Sequence, residues 1–311
     1  MDIISKKTEI LFLYDIENAN PNGDPLNENR PRFDSETSTA IVSDVRLKRT
    51  IRDYWYEYKG YNGSSGKDIF VREMTYNDAK SPDKEFIQDG KRRAGNFGSD
   101  KDRILNECLD IRTFGGVIPL KDDSITFTGP VQFQMGRSLN PVEIITEQGT
   151  GAFAAADGKK QSTFRTEYKL PYALIGFNGV VNEVAAKYTG MTDDDLALLF
   201  EGIWEGTKNL ISRSKFGQKP VFLFTVTFKD SYYLGGLRQK CKVVSDINPE
   251  AIRNLTDYRL DITELLIALQ SVSGKISSIS VKSDPQLKLL HNGVLFTIND
   301  GDYGNLAEIM P

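Results

Sequence analysis

Thr8 to Ile16 reads TEILFLYDI, a run that is apolar without alternation and ends in turn-forming residues. A strand with one wet face alternates, so this run reads as a central β-strand buried on both faces, although pattern alone also admits a short buried helix. The segment that follows, NANPNGDP (Asn18 to Pro25), packs three asparagines, two prolines and a glycine into eight residues. A turn alone does not call for so many amides. Directly after it comes VSDVRLKRTIRDYWYEYKG, with Ser43 as N-cap, Asp44 in the first turn and Gly60 as the stop. Wound at about 3.6 residues per turn, it puts Leu47, Ile51, Tyr54 and Tyr58 on one face with Trp55 at its edge. Arg46, Lys48, Arg49 and Arg52 then share the opposite arc. The expectation is an amphipathic helix whose wet side is basic.

Further along, residues 60–103 turn polar, glycine-rich and charged, which reads as an insertion or small subdomain that is loosely structured by itself. A helix is expected at DRILNECLDI, and SITFTGPVQFQMGRSLN alternates as a strand in which Pro130 marks a bulge or an edge. VEIITEQGTGAFAAADGKKQSTFRTEYK carries few large apolar residues and suits an extended hairpin or flap. YALIGFNGVVNEV (172 to 184) reads as another strand. TDDDLALLFEGIWEGTKNLIS is a strong helix, capped by Thr192, with Asp193 to Asp195 complementing its dipole and Leu196, Leu199, Phe200, Ile203 and Leu210 facing the core. The basic loop SRSKFGQKP and the strand VFLFTVTF follow, and DITELLIALQSV is the clearest element after about residue 231. The order is βαββαβ with decorations, an α+β, ferredoxin-like arrangement, one use of which presents a four-stranded sheet to single-stranded RNA.

Composition narrows the chemistry. The chain of 311 residues, 39% hydrophobic and 26% charged, can bury a sizeable core as one large domain or two smaller ones. No apolar stretch approaches the roughly 20 residues that span a bilayer, and no cleavable leader is expected at the N-terminus. Cys108 and Cys241 lie too far apart in sequence for a CxxC motif, which suits a reducing cytoplasm. The single histidine, His291, removes catalytic triads, histidine metal sites and two-histidine ribonuclease chemistry, and is itself expected to be structural or superficial. A net charge of −4 argues against unspecific adhesion to nucleic acid, but phosphates respond to charge within about 10 Å, so distribution decides.

Three basic features invite phosphate. The four cations within residues 46–52 adjoin the amide-rich loop, Arg213 and Lys215 lie in SRSKFGQKP, and Lys159, Lys160 and Arg165 lie on the flap in KKQSTFR. Each has an ordinary alternative: a solvated helix face, C-terminal capping near Gly217, or a charged loop. GYNGSSGKD fails as a phosphate loop, because five residues separate Gly60 from Gly66, Asp68 stands where Ser or Thr is required, and a helix precedes it. Asp24, Asp34 and Glu36 could gather a hard cation such as Mg²⁺, although acids are common in turns.

YDIENANPNGDP, SDVRLKRTIRDYWYEYK, DIRTFGGVIP followed by GPVQFQMGRSLNP, and FRTEYKLPYALIGFNGVVNE occur together and in this order. With them the chain resembles the Cas-seven backbone subunit of type I CRISPR surveillance (Cascade) complexes, most of all the type I-B (Csh2-like) branch, with type I-C a near cousin. The resemblance covers most of the chain to about residue 230. It implies a modified RNA-recognition (RRM-like) palm from 1–59, 104–140 and 167–311, a fingers insertion at 60–103 and a thumb hairpin at 141–166. It also implies several copies stacked head to tail along a CRISPR RNA, thumbs displacing a nucleotide at intervals, target DNA pairing with the exposed guide, and other Cascade subunits as partners. No catalysis, cofactor or membrane is implied. Carried onto this sequence, it sets Asn18, Asn20 and Asn22 beside the RNA backbone, and Arg46, Lys48, Arg49 and Arg52 against phosphates. Gln134, Arg137 and Ser138 border the guide, Phe153 wedges a base, and Lys159, Lys160, Arg165, Arg213 and Lys215 complete the basic track. Two other readings stand beside this one. Related type III backbone subunits cleave target RNA through a loop aspartate and a metal, and Asp24 and Asp34 lie in the corresponding region; a purely structural self-assembling protein would form filaments without RNA.

Overall fold

The computed structural model describes residues 2–78, 81–119, 124–150 and 164–310. Its principal elements are β1 (Thr8–Ala19), β2 (Thr39–Val42), α1 (Asp44–Tyr58), α2 (Lys101–Glu107), α3 (Leu109–Phe114), β3 (Val131–Phe133) and β4 (Gly136–Ser138). They continue with β5 (Phe164–Val181), α4 (Glu183–Thr189), α5 (Asp193–Lys208), β6 (Gln218–Phe228), α6 (Thr263–Ser271), β7 (Ile276–Ser283) and β8 (Gly301–Tyr303).

The opening run is a strand, and it is buried on both faces because the sheet is covered twice. Ile10, Phe12, Tyr14 and Ile16 point into a cluster shared with α1 and α5, while Leu11 and Leu13 point into a second cluster built with β6, α6 and the chain after Leu237. One large antiparallel sheet runs β8-β7-β6-β1-β5-β4-β2 and ends on the short strand Phe33–Asp34, with β3 also pairing to β5. The α/β fold is thus a three-layer stack of helices, sheet and a C-terminal layer. Ile145–Thr150 pairs antiparallel with Phe164–Lys169 at the start of β5. Among the described residues no helix is long and apolar enough to cross a membrane.

Helices α1 and α5 pack closely because glycines meet side chains at their crossing. A Cβ on Gly202 would lie 2.9 Å from Ile51 Cγ2 and 3.0 Å from Trp55 Nε1, and that nitrogen donates to the Leu198 carbonyl at 2.9 Å. Trp55, expected at the edge of the apolar face, is instead fully buried, whereas Tyr58 is 60% exposed. Helix α5 begins at Asp193 with a capping box between Thr192 and Asp195. Asp195 does more than face the dipole: it accepts from Arg112 Nε and Nη2, both at 2.8 Å.

Three expected elements come out differently. The helix over DRILNECLDI breaks at Cys108, which is extended (φ −101°, ψ 99°) because Asp68 pairs with it as a bridge between α2 and α3. The strand over SITFTGPVQFQMGRSLN is three pieces. Ser124–Thr128 pairs with Gly115–Pro119, while β3 and β4 pair with β5; the break falls at Gly129, where a Cβ would meet the Phe114 carbonyl carbon at 2.0 Å, and at Pro130, which has no N–H to give. Strand β5 stops at Val181 rather than 184 because Asn182 caps α4, accepting from the Val184 N–H at 2.9 Å. The apolar islands after residue 60 also gather into a core of their own, in which Phe70, Ala94, Phe97, Ile104, Cys108, Ile111, Ile118 and Ile125 are buried.

Candidate nucleic-acid interface

The amide-rich loop and the basic loop 212–218 are hydrogen-bonded together at one end of β1. The Glu17 N–H reaches the Gly217 carbonyl at 3.0 Å, the Asn20 N–H reaches the Ser214 carbonyl at 2.9 Å, and Lys215 Nζ donates to the Asn20 carbonyl at 2.5 Å. Gly217 permits the approach: its φ is +104°, and a Cβ there would sit 2.4 Å from the Glu17 carbonyl oxygen. The amides serve mainly inside the protein. Asn20 is buried and donates to the Asn29 carbonyl at 2.8 Å, and Asn22 Oδ1 accepts the Ser43 N–H at 2.8 Å, holding the start of α1 where no side chain of Ser43 caps it. Asn18, at φ +48°, is the exposed one of the three.

The charge of Arg46 reaches Lys215 here. Burial first, and then the Arg46 charge, push the Lys215 ammonium down to about 8, and burial likewise lowers Arg46 against the opposing pull of Tyr14 and Asp53. Arg46 Nε, Arg32 Nε and Gln218 Nε2 are buried without an acceptor, as is the Asn20 Oδ1 atom without a donor. Asn22 ties Arg32 to this place by accepting its N–H at 3.2 Å, and Gln218 lies beside Ile16 in the β1–β6 ladder. Buried donors are ordinarily paired. A set of cationic and amide donors with too few acceptors is chemically suited to a ligand that brings oxyanions, such as a phosphodiester. Beside it, Asn20, Glu28, Asn29, Tyr168 and Ser214 line a cleft of about 150 Å³.

The uninterrupted wet basic face expected of α1 does not exist. Lys48 is only 8% exposed; it pairs with Asp44 at 3.1 Å and bonds Gln132 at 3.2 Å. Arg52 pairs with the fully buried Asp110 at 2.9 Å and stacks over Phe114. Both are drawn away by segments distant in sequence. Arg49 remains exposed, bonded to Asp53 at 2.7 Å, so Arg46 and Arg49 are the cations of α1 left on its open side.

Of the other candidates, Arg165 and Arg213 share Glu167, Arg213 at 2.8 Å, with Lys169 3.4 Å from the same carboxylate. Ser138 is buried and accepts the Ala40 N–H at 3.1 Å, a scaffold contact. Arg137 bonds Asp34 at 2.9 Å, and Gln134 is exposed on the adjoining strand turn. Phe153, Lys159 and Lys160 lie outside the described residues. Asp34 is held below the ordinary carboxylate range by Arg137 and Thr37, while Asp24 accepts from the Leu26 N–H and faces Arg32. No three His, Cys, Asp or Glu side chains group as a metal site among the described residues. His291 sits in a C-terminal strand, bonded to Asn292 and against Phe296. Arg32 and Gln218 were not legible as site residues, since nothing in their sequence neighbourhood signals that their donors end up buried and unmatched.

The fold is that of subunits in RNA-guided surveillance assemblies. One solved chain, described as a CRISPR RNA-guided surveillance complex in a pre-nicking form, superposes with a TM-score of 0.52 at 11% identity, covering 86% of this chain and 89% of that one. Another, from a CRISPR RNA-guided surveillance complex, gives 0.52 at 12% identity, covering 89% and 88%. The family model for CRISPR-associated protein Cas7 matches residues 6–263, and the CRISPR-associated protein Cas7 of Haloferax volcanii is 32% identical over 311 positions, 91% of this chain and 88% of that one. This chain belongs to the Cas7 family.

Proposed function

We propose that this protein is a non-catalytic CRISPR RNA-binding backbone subunit of a type I, I-B-like, surveillance complex in the cytoplasm. Several copies stack head to tail along the guide and leave its bases free to pair with target DNA, alongside other Cascade subunits. The observation that carries the reading is the Arg46–Lys215 pair: two cations close enough for one charge to act on the other, half-withdrawn from water, without an ion-pair partner among the described residues. A phosphate would relieve both the repulsion and the unmatched donors, and phosphate contacts hold a strand without reading its sequence.

The sheet order supports treating the centre as an RNA-recognition palm, since β6, β1, β5 and β3/β4 lie side by side and antiparallel, with α1 and α5 on one face. The fingers are the 60–103 insertion, whose Phe70, Ala94 and Phe97 share a small core with Ile104 to Ile125, and the pairing of Ile145–Thr150 with β5 is the root of the thumb, where Arg165 and the candidates Phe153, Lys159 and Lys160 belong. Asn18, Arg46, Arg49 and Lys215 meet the backbone at the palm, with Arg213 at the rim; Asn20, Asn22 and Ser138 brace the loops that present them. The engagement of Asp34 by Arg137 supports a structural role for that carboxylate rather than metal-dependent cleavage.

The test is whether the purified protein carries RNA, visible in its ultraviolet absorbance and as a ladder after extraction, and whether Arg46→Gln with Lys215→Met removes it. RNA retained in full by the double variant would overturn the reading. Cleavage of complementary RNA at regular intervals with Mg²⁺, lost in Asp34→Ala, would replace it with the ribonuclease reading.

A further inference from the structure

Arg238 is a cation that the sequence does not single out, and it is placed with care. Strand β5 alternates so that Ile175 and Phe177 face α1 and α5, while Tyr172 and Leu174 face the C-terminal layer. Gly176 therefore opens toward the C-terminal layer, and Arg238 lies flat upon it: a Cβ on Gly176 would be 2.8 Å from Arg238 Cδ and 2.9 Å from Cγ. Across the ladder Gly176 pairs with Arg137. Two guanidiniums thus flank one glycine. Arg137 has Asp34; Arg238 forms no ion pair among the described residues, and its Nε is buried without an acceptor.

Neighbouring amides add donors. The Arg238 N–H donates to Asn178 Oδ1 at 2.8 Å, which fixes which end of the Asn178 amide is oxygen. Its Nδ2 must then donate, and it does so to Gln134 Oε1 at 3.0 Å and Gln239 Oε1 at 2.8 Å. Both glutamine oxygens are turned inward, so both exposed glutamine NH₂ groups are left for something outside the fold. Burial and the Arg137 charge also work against the Arg238 charge.

We propose that Arg238 and Arg137, with the amides of Gln134 and Gln239, form a second oxyanion shelf that takes a phosphate of the same single-stranded RNA. This rests on the RNA-binding reading above. The two places are connected: Arg137 pairs across the ladder with Ile41, the Ile41 N–H bonds the Arg32 carbonyl at 2.9 Å, and the Arg32 N–H bonds the Asn22 carbonyl at 3.2 Å. Arg32, with its own unmatched Nε, is a link in this hydrogen-bonded path. A strand crossing the Phe33–Asp34 edge of the sheet would pass from one to the other.

The experiment uses the full chain freed of RNA and a fluorescein-labelled single-stranded RNA in two unrelated sequences, titrated over a range of salt. Losing one phosphate contact makes the salt slope shallower by about 0.7, which is about fivefold in affinity near 0.1 M salt. Arg238→Gln is expected to show both changes on both sequences, and Arg238→Lys to keep most of the slope. Gln239→Glu keeps the oxygen that Asn178 needs but puts a carboxylate on the exposed shelf, so it should weaken binding even if Arg238→Gln folds poorly. Wild-type slope and affinity in folded Arg238→Gln and in Gln239→Glu, while Lys215→Met binds more weakly, would overturn the shelf alone. Absence of RNA binding by the wild-type chain would overturn it together with the reading on which it rests.

Discussion

The Lys215 ammonium, within reach of the Arg46 charge, donates to the Asn20 carbonyl at 2.5 Å, and neither cation forms an ion pair among the described residues. One comes from the first turn of α1 and the other from the loop after α5, so their meeting is a property of the tertiary fold.

That meeting predicts opposite pH effects on stability and on binding. An ordinary lysine holds its proton to about 10.5, whereas folded Lys215 releases it near 8, so between these values the unfolded chain binds more protons. Stability of the RNA-free protein should therefore rise with pH across this window, and the rise should shrink in Lys215→Met. RNA affinity should instead fall as pH climbs through about 8, because the cation is lost. Lys215→Arg should be flat over the same range in binding titrations; an unchanged pH profile in that variant would contradict the assignment.

The three acids that open α5 should separate on mutation. Asp193 and Asp194 are exposed and act mainly on the helix dipole, so each alanine variant should lose no more than about 1 kcal/mol in urea unfolding. Asp195 is 4% exposed and holds Arg112 through two bonds as well as the cap, and removing it leaves a half-buried guanidinium with backbone carbonyls of Leu105 and Asn106 but without this counter-charge. Asp195→Ala should cost about 3–5 kcal/mol. Equal losses at all three positions would show the Arg112 contact to be idle.

Asp110 should be similarly costly, and locally so. It is fully buried, accepts the Phe70 N–H at 2.7 Å and the Val71 N–H at 3.0 Å, and pairs with Arg52 on α1. Asp110→Ala should destabilise by about 3–5 kcal/mol. Limited proteolysis should then cut first between residues 60 and 119, where the small core is joined to α1 through this carboxylate.

The α1–α5 crossing gives a signed pair of glycine predictions. Alanine favours a helix over glycine by about 1 kcal/mol, but at Gly202 the new methyl would press on Ile51 and Trp55, both fully buried, and overpacking costs about 1–3 kcal/mol. Gly202→Ala should lower the urea midpoint. At Gly95, in the short helix Gly90–Gly95, the added methyl meets nothing within 4 Å, so Gly95→Ala should leave the midpoint unchanged or raise it.

Much of the fold was legible because local rules settle local structure. The double-sided burial of β1, the start of α1 after Ser43 and the Thr192 cap of α5 follow from apolar pattern and from backbone groups that need partners near at hand. The errors fall where a distant segment intrudes: Asp68 splits the helix at Cys108, and the Gly129–Pro130 step divides one alternating run between two sheets.

The sequence by itself determined which residues of α1 lie on one arc, because helical periodicity is fixed by backbone geometry. It could not determine which of those charges stay wet. Asp110 and Gln132 claim Arg52 and Lys48, while Lys215 arrives within reach of the Arg46 charge and forms no ion pair among the described residues. A charge's environment is set by whatever packs within a few ångströms, and those neighbours are brought by chain closure, which a periodicity read along the sequence does not contain.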